Sequence, residues 1–360
     1  MKHNNIMFGA ITAITFASCG NNSNTTTEPV KDSAAAPVAA SKSTGKIVIP
    51  ATYIRAETDR SFYNITKLPG SSINHFYHFR TVTPLDQQTV VRMNKDVLYS
   101  GAVVDVEKGA TVTFPEIPKG RYASILMVDN DHYCPGVIYT PGKHKLPQDT
   151  KYLFLAIRIQ LFNSKDTAEL ALVNELKDKF IIESNSSDPF SEPTWDNASR
   201  DSLTKIYEGE FTKFARYNDD WMGPRGKVNE QTRQLACAGA WGLFPNKDAT
   251  YINYNGGNLS GDKVYVATYK VPDVKAFWSI TLYGKDGYMK SENSVINASN
   301  VKYNKDKTFT VYFGAADKCP KDAKNRVDIT DGWNFLMRCY LPGKEISDNT
   351  YKLPDVTEVK

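Results

Sequence analysis

The chain has 360 residues, 41% hydrophobic and 23% charged, with a formal net charge of +4. Lysine and arginine are interleaved with acids, without a basic stripe or an arginine-rich helix, which argues against nucleic acid as a partner. After the first residues no stretch is long and apolar enough for a transmembrane helix, and the chain beyond residue 46 is ample for two domains.

The N-terminus reads Lys2, then an apolar run from Ile6 to Phe16, then Ala17-Ser18-Cys19-Gly20. That is a secretory signal whose apolar stretch is too short to span a bilayer. Small residues before Cys19 resemble a bacterial lipobox, in which the cysteine is acylated (a palmitate-type anchor) and becomes the new N-terminus. Residues 1–18 are therefore expected to be a lipoprotein signal peptide and 19–46 a lipid-anchored tether. Gly20 to Gly45 is mostly Asn, Ser, Thr, Ala and Pro and cannot bury enough surface to order itself. The expected location is the cell envelope, at the outer membrane, on its periplasmic or cell-surface side.

From Ala51 to Leu68, Ile54, Phe62 and Ile65 recur at near-helical spacing before Pro69-Gly70, predicting an amphipathic helix. The period then changes to two. Segments 102–106, 111–114, 122–128 and 152–157 are rich in β-branched and aromatic residues and predict an antiparallel sandwich over 47–165. A helical connector over 166–245 is expected next. Asp166 and Glu169 suggest an N-cap and its box partner. Further helices are predicted over 198–217, with Leu203, Ile206, Tyr207 and Phe214 inward, and over 229–241. Strands return at 250–254, 264–269, 277–283, 309–313 and 333–341, predicting a jelly-roll-like sandwich over 246–360. The fold class is thus mainly β with a helical connector. No glycine fingerprint follows a strand, and no nucleotide or organic cofactor is expected. Cys134, Cys237, Cys319 and Cys339 allow two disulfides or four buried thiols, and their spacing matches no zinc pattern.

Several strings resemble a tandem family whose halves are both domains of unknown function, DUF1254 followed by DUF1214. Arg92-Met93-Asn94-Lys95-Asp96-Val97-Leu98-Tyr99-Ser100 resembles the first signature of the N-terminal module. Gly120-Arg121-Tyr122 and Asp129-Asn130-Asp131-His132-Tyr133 resemble its second. Phe277 to Tyr283, with Asp286-Gly287-Tyr288, is similar to the start of the C-terminal module, and Asn325-Arg326 with Trp333 to Tyr340 to its last strand. Lys95 stands where the family usually has arginine, which weakens a bidentate anion contact there. The resemblance implies two β modules joined by helices and assigns no reaction.

Two polar strings are candidates for chemistry. If 92–96 is extended, Arg92, Asn94 and Asp96 share one face and offer a fork donor, an amide and a carboxylate to a ligand. The competing reading is a buried ion-pair network. His132 sits where it can act as acid or base, oriented by Asp131 or Asp129; the competing reading is a turn in which Asp and Asn satisfy their own backbone and His132 is merely exposed. The expected catalytic set is His132, Asp131, Asp96 and Tyr99, with His78, Arg80, Arg92, Asn94, Asp129 and Tyr133 as ligand contacts. The expected function is binding, and in a catalytic version hydrolysing, a small anionic or polyhydroxylated ligand in a polar pocket of the N-terminal module. One alternative is a non-catalytic glycan- or protein-binding lipoprotein, and a homo-oligomer is compatible with either. Another is a metal-assisted hydrolase using His75, His78, Asp131 and His132.

Overall fold

A computed structural model describes residues 45–88 and 90–360. Cys19, the signal and nearly all of the tether lie outside the described residues. Helix α1 (Pro50–Thr66) has proline in its first turn and comes first. The N-terminal strands follow as β1 (Tyr77–His78), β2 (Val97–Asp105), β3 (Ala110–Phe114), β4 (Ala123–Asp129), β5 (Val137–Ile138), β6 (Gly142–Lys145) and β7 (Tyr152–Gln160). The middle of the chain holds α2 (Thr167–Asp178), β8 (Ile181–Ser184), α3 (Asn197–Phe211) and α4 (Gln234–Gly239). The C-terminal part holds β9 (Ala249–Asn255), β10 (Tyr265–Tyr269), β11 (Trp278–Tyr283), β12 (Val295–Asn297), β13 (Phe309–Phe313), β14 (Arg326–Val327), β15 (Asn334–Tyr340), α5 (Lys344–Ser347) and β16 (Thr357–Glu358).

An antiparallel sheet in the order β1-β2-β7-β4-β5 faces a sheet of order β6-β3-β8. Strand β8 comes from the segment expected to be connector, so the sandwich extends past residue 165. Alternation sorts β2 residue by residue. Leu98, Ala102 and Val104 enter the sandwich core with Val112, Phe114 and Ile157. Val97, Tyr99 and Val103 face the opposite way, into a core shared with α1, α4 and β15. The five-stranded sheet is therefore covered on both sides, and all nine residues of β2 are buried. The C-terminal sandwich packs β12-β11-β15-β9 against β14-β13-β10-β16 around Trp278, Phe309, Phe313, Trp333 and Phe335.

The helices depart from expectation in instructive ways. Asp166 caps α2 by accepting from the Ala168 and Glu169 amides. Glu169 does not close a box; it takes a two-pronged pair from Arg121 at 2.7 and 2.9 Å, which ties α2 to the start of β4. Helix α3 stops at Phe211, and Ile206 is 58% exposed rather than inward. Its inward stripe is Arg200, Thr204 and Phe211, because α1 presents polar partners there: the Tyr53 hydroxyl lies 3.0 Å from Thr204. Only Gln234–Gly239 of the third predicted helix is helical. All four cysteines in the described part are free and buried.

The two modules meet backbone to backbone at Gly287, whose carbonyl accepts the Arg92 amide at 2.8 Å. Its φ is +81°, and an added Cβ would stand 3.0 Å from the Cβ of Val91. Gly287→Ala is expected to destabilise the protein by about 1–3 kcal/mol through strain and crowding together. Urea unfolding followed by tryptophan fluorescence reads this; an unchanged midpoint refutes it.

Candidate functional site

Residues 92–96 form an irregular loop that leaves a turn at Arg92 and bends at 95–96, not a strand, and Arg92 adopts φ +55°. The string is held by the C-terminal sandwich. Arg338 of β15, buried, donates to the Arg92 carbonyl at 2.8 Å, the Tyr283 hydroxyl at 2.8 Å and the Thr281 hydroxyl at 2.9 Å. Tyr283 in turn donates to the Met93 carbonyl at 2.7 Å. Asn94 donates to the hydroxyls of Tyr340 at 2.8 Å and Tyr99 at 3.3 Å. Asp96 accepts from Asn297 at 3.0 Å, and burial raises its carboxyl above the ordinary range against the pull of Arg338. Lys95 pairs with Glu292 at 2.7 Å. Asn94 and Asp96 are therefore buried fasteners between modules, with Tyr99 buried beside Asn94, which corrects the expected place of all three in an open pocket. The extended backbone that would have put Arg92, Asn94 and Asp96 on one face does not form; the Arg92 and Met93 carbonyls are instead bonded to Arg338 and Tyr283.

The second string ends β4 in a tight turn. One Asp129 carboxylate oxygen accepts the Asp131 and Tyr133 amides, both at 2.9 Å. Asn130 donates to Asp59 of α1 at 2.8 Å, which docks the turn on the helix. His132, at φ +61°, is 1% exposed, and its Nε2 accepts the Gly242 amide at 3.0 Å. Its Nδ1 therefore carries the proton of the neutral ring. Burial, helped by Arg233, pushes the ring down to about 3. His132 is a neutral packing residue against Trp241, 5.6 Å between ring centres, and not the expected acid or base. The turn reading is right for Asp129, which satisfies its own backbone, and wrong for His132, which that reading left exposed.

Asp131 and Tyr133 do reach solvent, at a cleft of about 430 Å³ between the start of α1, this turn and residues 225–234. Asp131 takes Arg55 at 2.6 Å on one carboxylate oxygen and Arg225 at 2.9 Å on the other. Burial alone would raise its carboxyl, but the two arginines outweigh it and hold it below the usual carboxylate range. Arg225 also reaches Asp129 at 3.0 Å. The Tyr133 ring is sandwiched between Arg225 at 4.1 Å and Arg233 at 4.0 Å. Its hydroxyl donates to Glu230 at 2.7 Å, and Arg233 holds the other Glu230 oxygen at 2.8 Å. The arrangement is a set of guanidinium forks and an aromatic ring, suited to gripping an anion or a sugar.

The remaining predicted residues lie elsewhere. His78, on the edge strand β1, bonds Ser100 at 2.7 Å through Nδ1; burial, with Lys177 and Arg80 near, pushes its ring down to about 4. Arg80 pairs with Asp178 at 2.7 Å. Strands β2 and β7 separate this edge from β4, which carries the Asp129–Tyr133 turn. His75 bonds the Ile73 carbonyl. The four residues expected to share a metal are thus dispersed, and among the described residues no cluster of three or more His, Cys, Asp or Glu is arranged to hold a metal ion.

With this geometry in hand, comparison with known proteins places the modules. Residues 73–144 match the family model "Protein of unknown function (DUF1254)", and residues 248–344 match "Protein of unknown function (DUF1214)". The chain carries these two modules in tandem. No curated protein matches it. Among solved structures, the VPA0106 protein of Vibrio parahaemolyticus is similar at 18% identity and a TM-score of 0.66, covering 86% of this chain and 98% of that one. A putative uncharacterized protein from Burkholderia cenocepacia is similar at 14% identity and a TM-score of 0.51, covering 85% and 87%. Both likenesses speak for the fold.

The DUF1254 module thus spends its first signature on the DUF1214 module and its second on the cleft. Arg55, Arg225, Glu230 and Arg233 of the cleft lie outside the DUF1254 match, on α1 and in the connector. The one local signal for them is Gly223-Pro224-Arg225-Gly226, an arginine set in a turn-forming string.

The buried ring of His132 links stability to pH. Its folded value of about 3 lies below the ordinary 6.5, so its contribution is complete above pH 6.5 and is lost as pH falls toward 3. His132→Gln keeps an acceptor for the Gly242 amide but cannot titrate. Between about pH 6 and about pH 4, wild type is expected to lose stability faster than this variant by up to about 1.4 kcal/mol per pH unit. Parallel curves in pH-dependent urea titrations would refute the assignment.

Proposed function

We propose that this protein is an envelope-anchored lipoprotein that binds a small anionic or polyhydroxylated ligand in the cleft between α1, the Asp129–Tyr133 turn and residues 225–234. The observation that carries the reading is the convergence of two half-exposed guanidinium groups, Arg55 and Arg225, on Asp131 at the cleft wall. A ligand carboxylate offers the same fork geometry as Asp131 and competes with it for both arginines. The Gln231 and Gln234 side chains supply contacts for hydroxyls, and Ile54 and the Tyr207 ring at the cleft wall an apolar surface.

Binding suits these groups better than hydrolysis. Asp131 is held ionised by its arginines, and Glu230 likewise lies below its ordinary value, because the bonds from Arg233 and Tyr133 outweigh burial. An ionised, fully bonded carboxylate is a poor acid and a weakened base. The address rests on Ala17-Ser18-Cys19 following a short apolar run, and residues 20–45 provide the reach between anchor and folded part.

Calorimetric titration with galacturonate and galactose tests the ligand class. The acid sugar is expected to bind more tightly, and Arg55→Gln to weaken it about tenfold, the worth of one charged hydrogen bond. Equal affinity for the two sugars, or an unaffected variant, would sink the proposal. For the anchor, Cys19→Ser is expected to move the protein from the membrane to the soluble fraction, and unchanged fractionation overturns it.

A further inference from the structure

A second cleft, of about 330 Å³, opens where the DUF1254 signature loop meets β9 and the chain following α3. Arg92 is its charged wall. The Arg92 guanidinium lies 5.5 Å from the Tyr283 ring centre. Its Nη1 is shielded from solvent and has no hydrogen-bond partner among the described residues. No carboxylate lines the cleft. The other cation there, Lys213, is taken by Glu210 at 2.6 Å. A guanidinium donor shielded from water and left without a partner is costly, and an acceptor that reaches it recovers that cost.

The backbone reinforces the point. Arg92 adopts a left-handed conformation that a long side chain seldom takes. Its amide is fixed by the Gly287 carbonyl and its carbonyl by Arg338, so the side chain leaves the loop at this place by construction. Opposite it stand Phe211, Phe214 and Tyr217, with the amide side chains of Asn253 and Asn255 beside them.

We infer that this seam cleft binds a small organic anion, a carboxylate borne on a flat apolar body, with Arg92 as its charge partner. The carboxylate pairs with the Arg92 guanidinium, whose Nη1 shifts to meet it, and the body packs against the phenylalanine wall. The site is separate from the Arg55–Arg225 cleft and shares no residue with it.

Calorimetric titration of the full chain with benzoate, against benzamide as a neutral probe of the same shape, tests the inference. Benzoate is expected to bind at least about tenfold more tightly, and Arg92→Gln to bring it down to the level of benzamide. Asn255→Asp, which sets a carboxylate into the same wall, is expected to lower benzoate affinity in a variant that leaves the loop intact. Equal affinities for the two probes, no binding of benzoate by wild type, or full benzoate affinity in either variant would overturn the inference.

Discussion

Arg338 projects from the middle of the last long strand into the space between the two sandwiches, and its guanidinium is the hub of their junction. Its donors go to the Arg92 carbonyl and to the hydroxyls of Thr281 and Tyr283, all neutral acceptors. Removing a guanidinium from water costs several kcal/mol, so such a group persists where most of its donors are satisfied. Here the satisfaction comes from both modules at once. The backbone of the first signature loop is thereby fixed, and with it the direction in which Arg92, Asn94 and Asp96 leave the chain.

A second buried guanidinium, Arg158 of β7, lies in the same interior beside the rings of Phe244 at 4.1 Å and Tyr99 at 5.4 Å. Together the two arginines explain why a protein of two β-sandwiches keeps polar and aromatic residues where a plain hydrophobic seam would do. Tyr99, Tyr122, Tyr251, Tyr283 and Tyr340 are all buried around them, offering ring faces and hydroxyls to the cations.

The main strands are legible because each is a short, largely apolar run bounded by turn residues; β2, β4, β7, β11 and β15 are buried along almost their whole length. Two-residue strands such as β1 and β14 are too short to hold a period. The inner face of α3 misleads a reader of hydrophobic spacing because its partners on α1 are polar, so Arg200 and Thr204 turn inward while Ile206 stays in water. Of the site, Asp131 and Tyr133 are visible as part of a polar turn. Arg55 and Arg225 are not, since nothing local ties a surface arginine on one helix to another 170 positions on (225 − 55). The polar character of the first signature is plain, but its partners lie some 200 residues downstream, as Asn297 does for Asp96. Residue type alone does not distinguish a clasp from a pocket.

The walls of the larger cleft come from residues 50–55, 131–133, 207 and 225–234. No single stretch of polypeptide contains enough of it to grip anything, and no fragment of the chain inherits it. The proposed binding therefore requires helix, turn and connector together, late in an assembly dominated by contacts between distant positions. Occupancy would report on completed folding, and a nascent or partly unravelled chain would pass its ligand by.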